Sequence, residues 1–158
     1  MSVNLVDVEN AMVHKFLSNG DVASRIQRRF YKTACREWIV ALESVLQERS
    51  PRLGQWADYR RSGQVVQRLL NLTESRVRYA AFEIRTFGQV IEEAEALQNV
   101  FIAVIGAGFS GTLGSSPSVT EVSVKNMIWN YETQTSDYDE TFKQAYASIG
   151  LVIPYRAV

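Results

Sequence analysis

Residues 64–105 read QVVQRLLNLTESRVRYAAFEIRTFGQVIEEAEALQNVFIAVI. Taken at alternating steps of four and three, the positions are Val66, Leu70, Thr73, Val77, Ala80, Ile84, Phe87, Ile91, Ala94, Gln98, Phe101 and Ile105. Ten of these twelve are apolar. Apolar residues at that spacing mark a helix with a narrow, heptad-like seam. The pattern predicts one long helix over about 64–105, about 63 Å long at 1.5 Å per residue. Asn71 and Glu74 offer a capping box that would interrupt it, but the seam keeps phase across them, so continuity is the preferred reading. A helix of that length exceeds what one compact domain needs, and the excess implies support for a neighbour. It is also polarised, with Arg68, Arg76, Arg78 and Arg85 on its first half and Glu92, Glu93 and Glu95 on its second.

Upstream, residues 3–18 read as a first helix, ended by Asn19-Gly20, which tolerate a left-handed backbone. Asp21, or Ser24, caps a second helix running to Glu48. Ala23, Ile26, Phe30, Ala34, Trp38, Ala41 and Val45 form its buried stripe. Arg25, Arg28, Arg29, Lys32 and Arg36 fall on the opposite side as a basic face. Ser50-Pro51 stops that helix, and Leu53 to Arg61 is a short connector.

Downstream, GAGFSGTLGSSPS (106–118) is a glycine- and serine-rich loop. Val119–Val124 and Met127–Glu132, joined at Lys125-Asn126, predict a small β-hairpin with Met127, Trp129 and Tyr131 on one face. Ser136 caps a short helix bearing Phe142, Ala145, Tyr146 and Ile149. The chain closes in an apolar extended tail, LVIPYRAV, of the kind pinned in a groove or added to a sheet edge. The expected fold is therefore mainly α: a helical bundle over 1–105 built on the long helix, with loop, hairpin, short helix and tail (106–158) packed on the same single domain.

The 158 residues are one domain's worth. One cysteine (Cys35) and one histidine (His14) exclude an internal disulfide and a Cys/His metal cluster. The opening MSVNLVDVEN has acids where a secretion signal needs a basic start, and no segment is long and apolar enough to span a bilayer. The expected location is the cytoplasm or the inside of a virus particle.

The net charge is zero, but its distribution is uneven. Arg25 to Arg85 holds thirteen basic against six acidic residues, while Thr86 to Val158 holds three against eight. Thirteen of the seventeen basic residues are arginine, the better cation for bidentate pairing with carboxylate or phosphate. A basic middle thus faces acidic ends, either within one subunit or between neighbours.

Chemistry is sparse. Gly106, Gly108 and Gly111 fit G-x-G-x-x-G, the dinucleotide-binding fingerprint. The fingerprint must open a helix, however, and the residues that follow cannot propagate one. His14 has no nucleophile near it in sequence, and no carboxylates pair for acid–base work. The expectation is a non-enzymatic structural subunit of a homo-oligomeric ring or filament, without cofactor or metal. The inferred architecture resembles, in general shape alone, phage connector and virion structural proteins. The expected interface surfaces are basic (Arg25, Arg28, Arg29, Lys32, Arg36), acidic (Glu92, Glu93, Glu95, Asp137, Asp139) and apolar (Met127, Trp129, Tyr131, Leu151, Ile153). The alternatives are a nucleic-acid-binding module or coat protein using the Arg25–Arg36 face and, third, dinucleotide binding at the glycines.

Overall fold

A computed structural model describes residues 5–47, 55–62, 77–106, 111–112, 123–124 and 128–156. They form a mixed α/β fold and not a helical bundle. In chain order the elements are α1 (Leu5–Leu17), α2 (Gly20–Ile26), β1 (Phe30–Lys32), α3 (Arg36–Gln47), β2 (Trp56–Arg61), β3 (Val77–Gly88), α4 (Ile91–Gly106), β4 (Gly111–Thr112), β5 (Ser123–Val124), β6 (Ile128–Asp139) and β7 (Gln144–Arg156). The strands make one sheet in the order β1-β2-β3-β7-β5-β4, with β6 also paired to β7. Five strands are substantial; β4 and β5 are dipeptides. Among the described residues only β1 and β2 pair in parallel.

The predicted long helix is the main correction. Residues 64–76 lie outside the described residues, Val77–Gly88 is strand β3, and only Ile91–Gly106 is helical. In β3, Ala80, Phe82, Ile84 and Thr86 are buried, with half-buried Ala81, Glu83 and Arg85 alternating between them. That is a period of two. The seam of threes and fours crosses it by coincidence. It scores Ala80 and Ile84 correctly, then takes Phe87, which belongs to the opposite face and stacks on Trp56 at 4.0 Å. β-Branched and aromatic residues fill this segment, and they favour a pleated surface. After Gly88 the helical period is real: Ala94, Leu97, Gln98, Phe101, Val104 and Ile105 are buried.

The predicted second helix divides too. Asn19, not Asp21, caps α2, its side chain accepting from the backbone N–H of Asp21 (3.0 Å) and Val22 (3.2 Å). Gln27 (φ 50°) and Arg28 (φ 69°) are left-handed and end it. The chain then turns extended so that Phe30 pairs beside Ala57 and packs edge-on to Phe16 and Phe101 at 5.9 and 5.5 Å. Tertiary packing has overridden a local helical pattern. Trp56–Arg61, read as connector, is β2.

The predicted hairpin is likewise replaced. β5 pairs with β4 and β7, whereas β6 pairs with β7; Lys125, Asn126 and Met127 lie outside the described residues. The short helix expected from Ser136 is the end of β6, a turn, and the start of β7. Asp139 marks that turn, its carboxylate accepting from the Phe142 N–H at 2.8 Å. A short acidic side chain bonding three residues on closes a turn as readily as it caps a helix. Leu151–Arg156 is no peripheral tail but the second half of β7, held between β3 on one edge and β6 and β5 on the other.

One face of the sheet is covered by α1, α2 and α4. Val8, Met12, Phe16, Ile26, Phe82, Leu97, Phe101, Ile149 and Leu151 share this core, each large apolar side chain contributing about 1.5–3 kcal/mol on full burial. The other face carries a smaller cluster of Trp56, Phe87 and Phe142, covered by Trp38 and Leu42 of α3. Residues from Val8 to Ile153 thus share one core.

Candidate functional site: a buried ion cluster and two charged edges

On the α3 side of the sheet, Asp58 of β2 stands directly across from Arg85 of β3. Residues opposite on an antiparallel pair share a face. Arg85 Nε donates to Asp58 Oδ1 at 2.9 Å and Nη2 donates to Oδ2, while Nη1 reaches Asp139 Oδ2 at 2.9 Å. The Trp38 indole N–H donates to Asp58 Oδ2 at 3.1 Å. The guanidinium also lies over the rings of Phe87 (4.9 Å) and Tyr146 (5.4 Å). Burial pushes the Asp58 carboxyl up, against the pull of Arg85 and Trp38. Burial pulls Arg85 down, but its bonds and charge contacts with Asp58 and Asp139 outweigh this and hold it above its usual value. Charges here are answered by charges, and the cluster ties α3, β2, β3 and the β6–β7 turn together.

A second buried acid, Glu9 of α1, is 5 % exposed. It accepts from Arg61 Nε at 2.9 Å and pairs with Lys32 Nζ at 3.3 Å. It fastens α1 to the β1–β2 edge.

The expected basic face is therefore not one continuous surface. Lys32 is turned to Glu9, and Arg29 Nη2 donates to the Gln55 carbonyl at 2.7 Å. Arg25, at the end of α2, shares an open cleft with Glu92 and Glu93. Arg28 and Arg36 remain exposed on either side of β1, an outer strand of the sheet. The acidic set divides similarly. Glu92 and Glu93 face the Arg25 cleft, with Glu93 also accepting from the Gln89 N–H at 3.0 Å. Asp139 belongs to the ion cluster. Glu95 accepts from Ser136 Oγ at 3.1 Å, which brings it to strand β6, while exposed Asp137 lies on the opposite face of that strand. In the expected apolar set, Leu151 and Ile153 are fully buried in the core and so form no surface. Trp129 and Tyr131 lie along β6, and Met127 lies outside the described residues.

The structure thus leaves Glu95 and Asp137 exposed on the two faces of one lateral edge, and Arg28 and Arg36 exposed beyond the two ends of β1 on the other. Sequence reasoning missed the ion cluster, whose members sit 27 and 54 residues apart. It also missed the exposed apolar groups Ile39, Val40, Val90, Ile91 and Tyr138. Of these, only Ile39 and Val40 carried a signal: they fall off the Trp38–Ala41 stripe.

The glycine motif does not take the fingerprint's form. Gly106 ends helix α4 where a strand is required, and Gly111 opens a strand where a helix is required; Gly108 lies outside the described residues. His14 is exposed on α1, and Cys35 is half-buried at the turn before α3. Among the described residues no group of three or more His, Cys, Asp or Glu is placed to hold a metal ion, and no helix is long and apolar enough to cross a membrane. A groove of about 530 Å³ runs between the α1–α2 junction and α4, past Lys15, Asn19, Asp21 and Asn99. No protein-family model matches the chain, and no curated protein matches it in sequence.

Proposed function

We propose that this chain is a non-enzymatic structural subunit that assembles head to tail into a homo-oligomeric ring or filament, of the kind built by connector and virion proteins, in the cytoplasm or within a virus particle. One observation carries the reading: the two lateral edges of the sheet bear opposite charge. Arg28 and Arg36 flank β1 at one side; at the other, Glu95 reaches β6 on the α4 face and Asp137 stands on the opposite face of β6. A patch that complements a different patch on an identical copy generates a heterologous interface, and such interfaces close into rings or continue as filaments. β6 supports it further. Twelve residues long, it pairs among the described residues only with β7, and a register shift between Asn130 and Thr135 interrupts it. An irregular, acid-bearing outer strand resists indiscriminate pairing while leaving a defined surface for one partner.

Nucleic acid is the less supported partner, because Lys32 and Arg29 of the basic face are engaged internally. Native mass spectrometry together with electron microscopy tests the reading. Discrete multiples of the subunit mass, or visible rings or filaments, are expected at low salt. A strictly monomeric species at high concentration and low salt overturns it.

A further inference from the structure

Among the described residues six large apolar side chains are exposed, and five of them fall into two patches. The first patch is on α3. Ile39 and Val40 (42 % and 55 % exposed) sit on the outer side of that helix, while Trp38 and Leu42 are turned to the sheet. Arg36 precedes them by one turn and Glu43 follows by one turn, both exposed. Residues three and four apart share a helix face, so this strip reads base, apolar, acid.

The second patch lies on the opposite face of the sheet, the face covered by α4. The Ser136–Glu95 bond fixes one flank of α4 against β6. Stepping toward the end of the sheet, Ile91 lies one turn before Glu95 on that flank, and Tyr138 lies two residues beyond Ser136 on the same strand face. Gly88, Ala145 and Tyr138 also form one cross-strand row. Val90, Ile91 and Tyr138 (50 %, 43 % and 52 % exposed) are therefore gathered at one corner. Glu95 lies inward of them, and exposed Lys143, in the β6–β7 turn, lies outward. This strip reads acid, apolar, base.

We infer that the outer face of α3 in one copy docks on the α4–β6 corner of the next, with Ile39 and Val40 covering Ile91 and Tyr138. The occupant of each patch is a second copy of this chain, because the two strips are complementary in charge order: Arg36 meets Glu95, and Glu43 meets Lys143. Glu140, exposed in the same turn, offsets part of the Lys143 charge, so the Arg36 end sets the register. An apolar centre rimmed by charge is the usual build of a specific interface. The inference rests on the head-to-tail reading above and goes further by naming the surfaces that meet.

Cross-linking tests it. In a Cys35→Ser background, copies carrying Val40→Cys are mixed with copies carrying Tyr138→Cys and mildly oxidised. A covalent heterodimer that needs both variants is expected to dominate. Cross-linked Val40→Cys pairs forming equally well alone would mean a symmetric contact and overturn the inference, as would the absence of any cross-link. In parallel, Val40→Glu and Ile91→Glu are each expected to raise the concentration of half-assembly at least tenfold; an unchanged value also counts against it. If wild-type protein assembles but these results fail, the docking surfaces are wrong and the assembly reading stands. If wild-type protein is monomeric, both fall.

Discussion

Arg85 answers two carboxylates at once, and so the loss of Arg85 costs more than the loss of either bond. Asp58 is 1 % exposed; without the guanidinium its charge stays buried with only the Trp38 N–H in reach. Removing one partner of a buried pair costs about 3–5 kcal/mol. Arg85→Met is expected to lose stability of that order, a fall in Tm on the order of 10 °C for a chain of this length, measured by calorimetry. Arg60→Met serves as the control. Its pair with Glu83 is solvent-exposed at 2.8 Å, so its loss is expected to cost less than about 1 kcal/mol. Neither pairing was readable from the chain, since strand register, not spacing, brings Asp58 to Arg85. Tyr59 makes a pH prediction. Burial, with the charge of nearby Glu9, holds its hydroxyl far above its ordinary range. The unfolded chain releases that proton near pH 10 and the folded chain does not. The contribution is therefore fully present below about pH 10 and lost as pH rises beyond it. Urea titrations from pH 8 to 11 are expected to show a stability loss that is shallower in Tyr59→Phe.

Between β3 and α4 the chain reverses at Gly88, where a Cβ would stand 2.6 Å from Glu93 Cβ and 2.7 Å from the Ala94 nitrogen. The obstruction is helix backbone, which cannot swing aside as a flexible side chain can. Gly88→Ala is expected to cost about 1–3 kcal/mol as overpacking and to speed hydrogen exchange in the first turn of α4; equal exchange in both proteins would refute this. The same corner shows why the elements were only partly readable. α1 stood out because its capping and turn signals are local, and the buried positions of α4 followed the helical period. β3 was hidden because its two-residue alternation happens to satisfy a heptad seam at Ala80 and Ile84. Its partner β7 lies some sixty residues later, beyond any local pattern. Asp139 misled in a related way: an acid that caps helices also closes the β6–β7 turn.

At the scale of the whole molecule, the uneven charge was visible in the sequence, but its direction was not. A linear split into basic middle and acidic end becomes, in the fold, a lateral division from the β1 edge to the β6 edge. Part of it is spent internally on Glu9, Asp58 and the Arg25 cleft. Under the assembly proposed above, what remains exposed predicts how copies would meet. Contacts between exposed charges weaken as the screening length falls from about 10 Å at 0.1 M salt to about 3 Å at 1 M, so assembly is expected to retreat as salt rises. Salt alone does not identify the residues, whereas charge reversal does. Glu95→Lys with Asp137→Lys places positive charge against the neighbour's Arg28 and Arg36 and is expected to leave monomers. Arg28→Glu with Arg36→Glu is expected to do the same from the other side. Each altered copy keeps one native edge and the two reversed edges also oppose each other in sign, so an equal mixture of the two proteins is expected to alternate them and extend. Combining all four changes in one chain restores opposite signs at every junction and is expected to recover extended assembly. Native mass spectrometry of the four samples reads this directly. Assembly by either double variant alone, or none by the fourfold variant while its fold is intact, would remove the charged edges as the basis of contact.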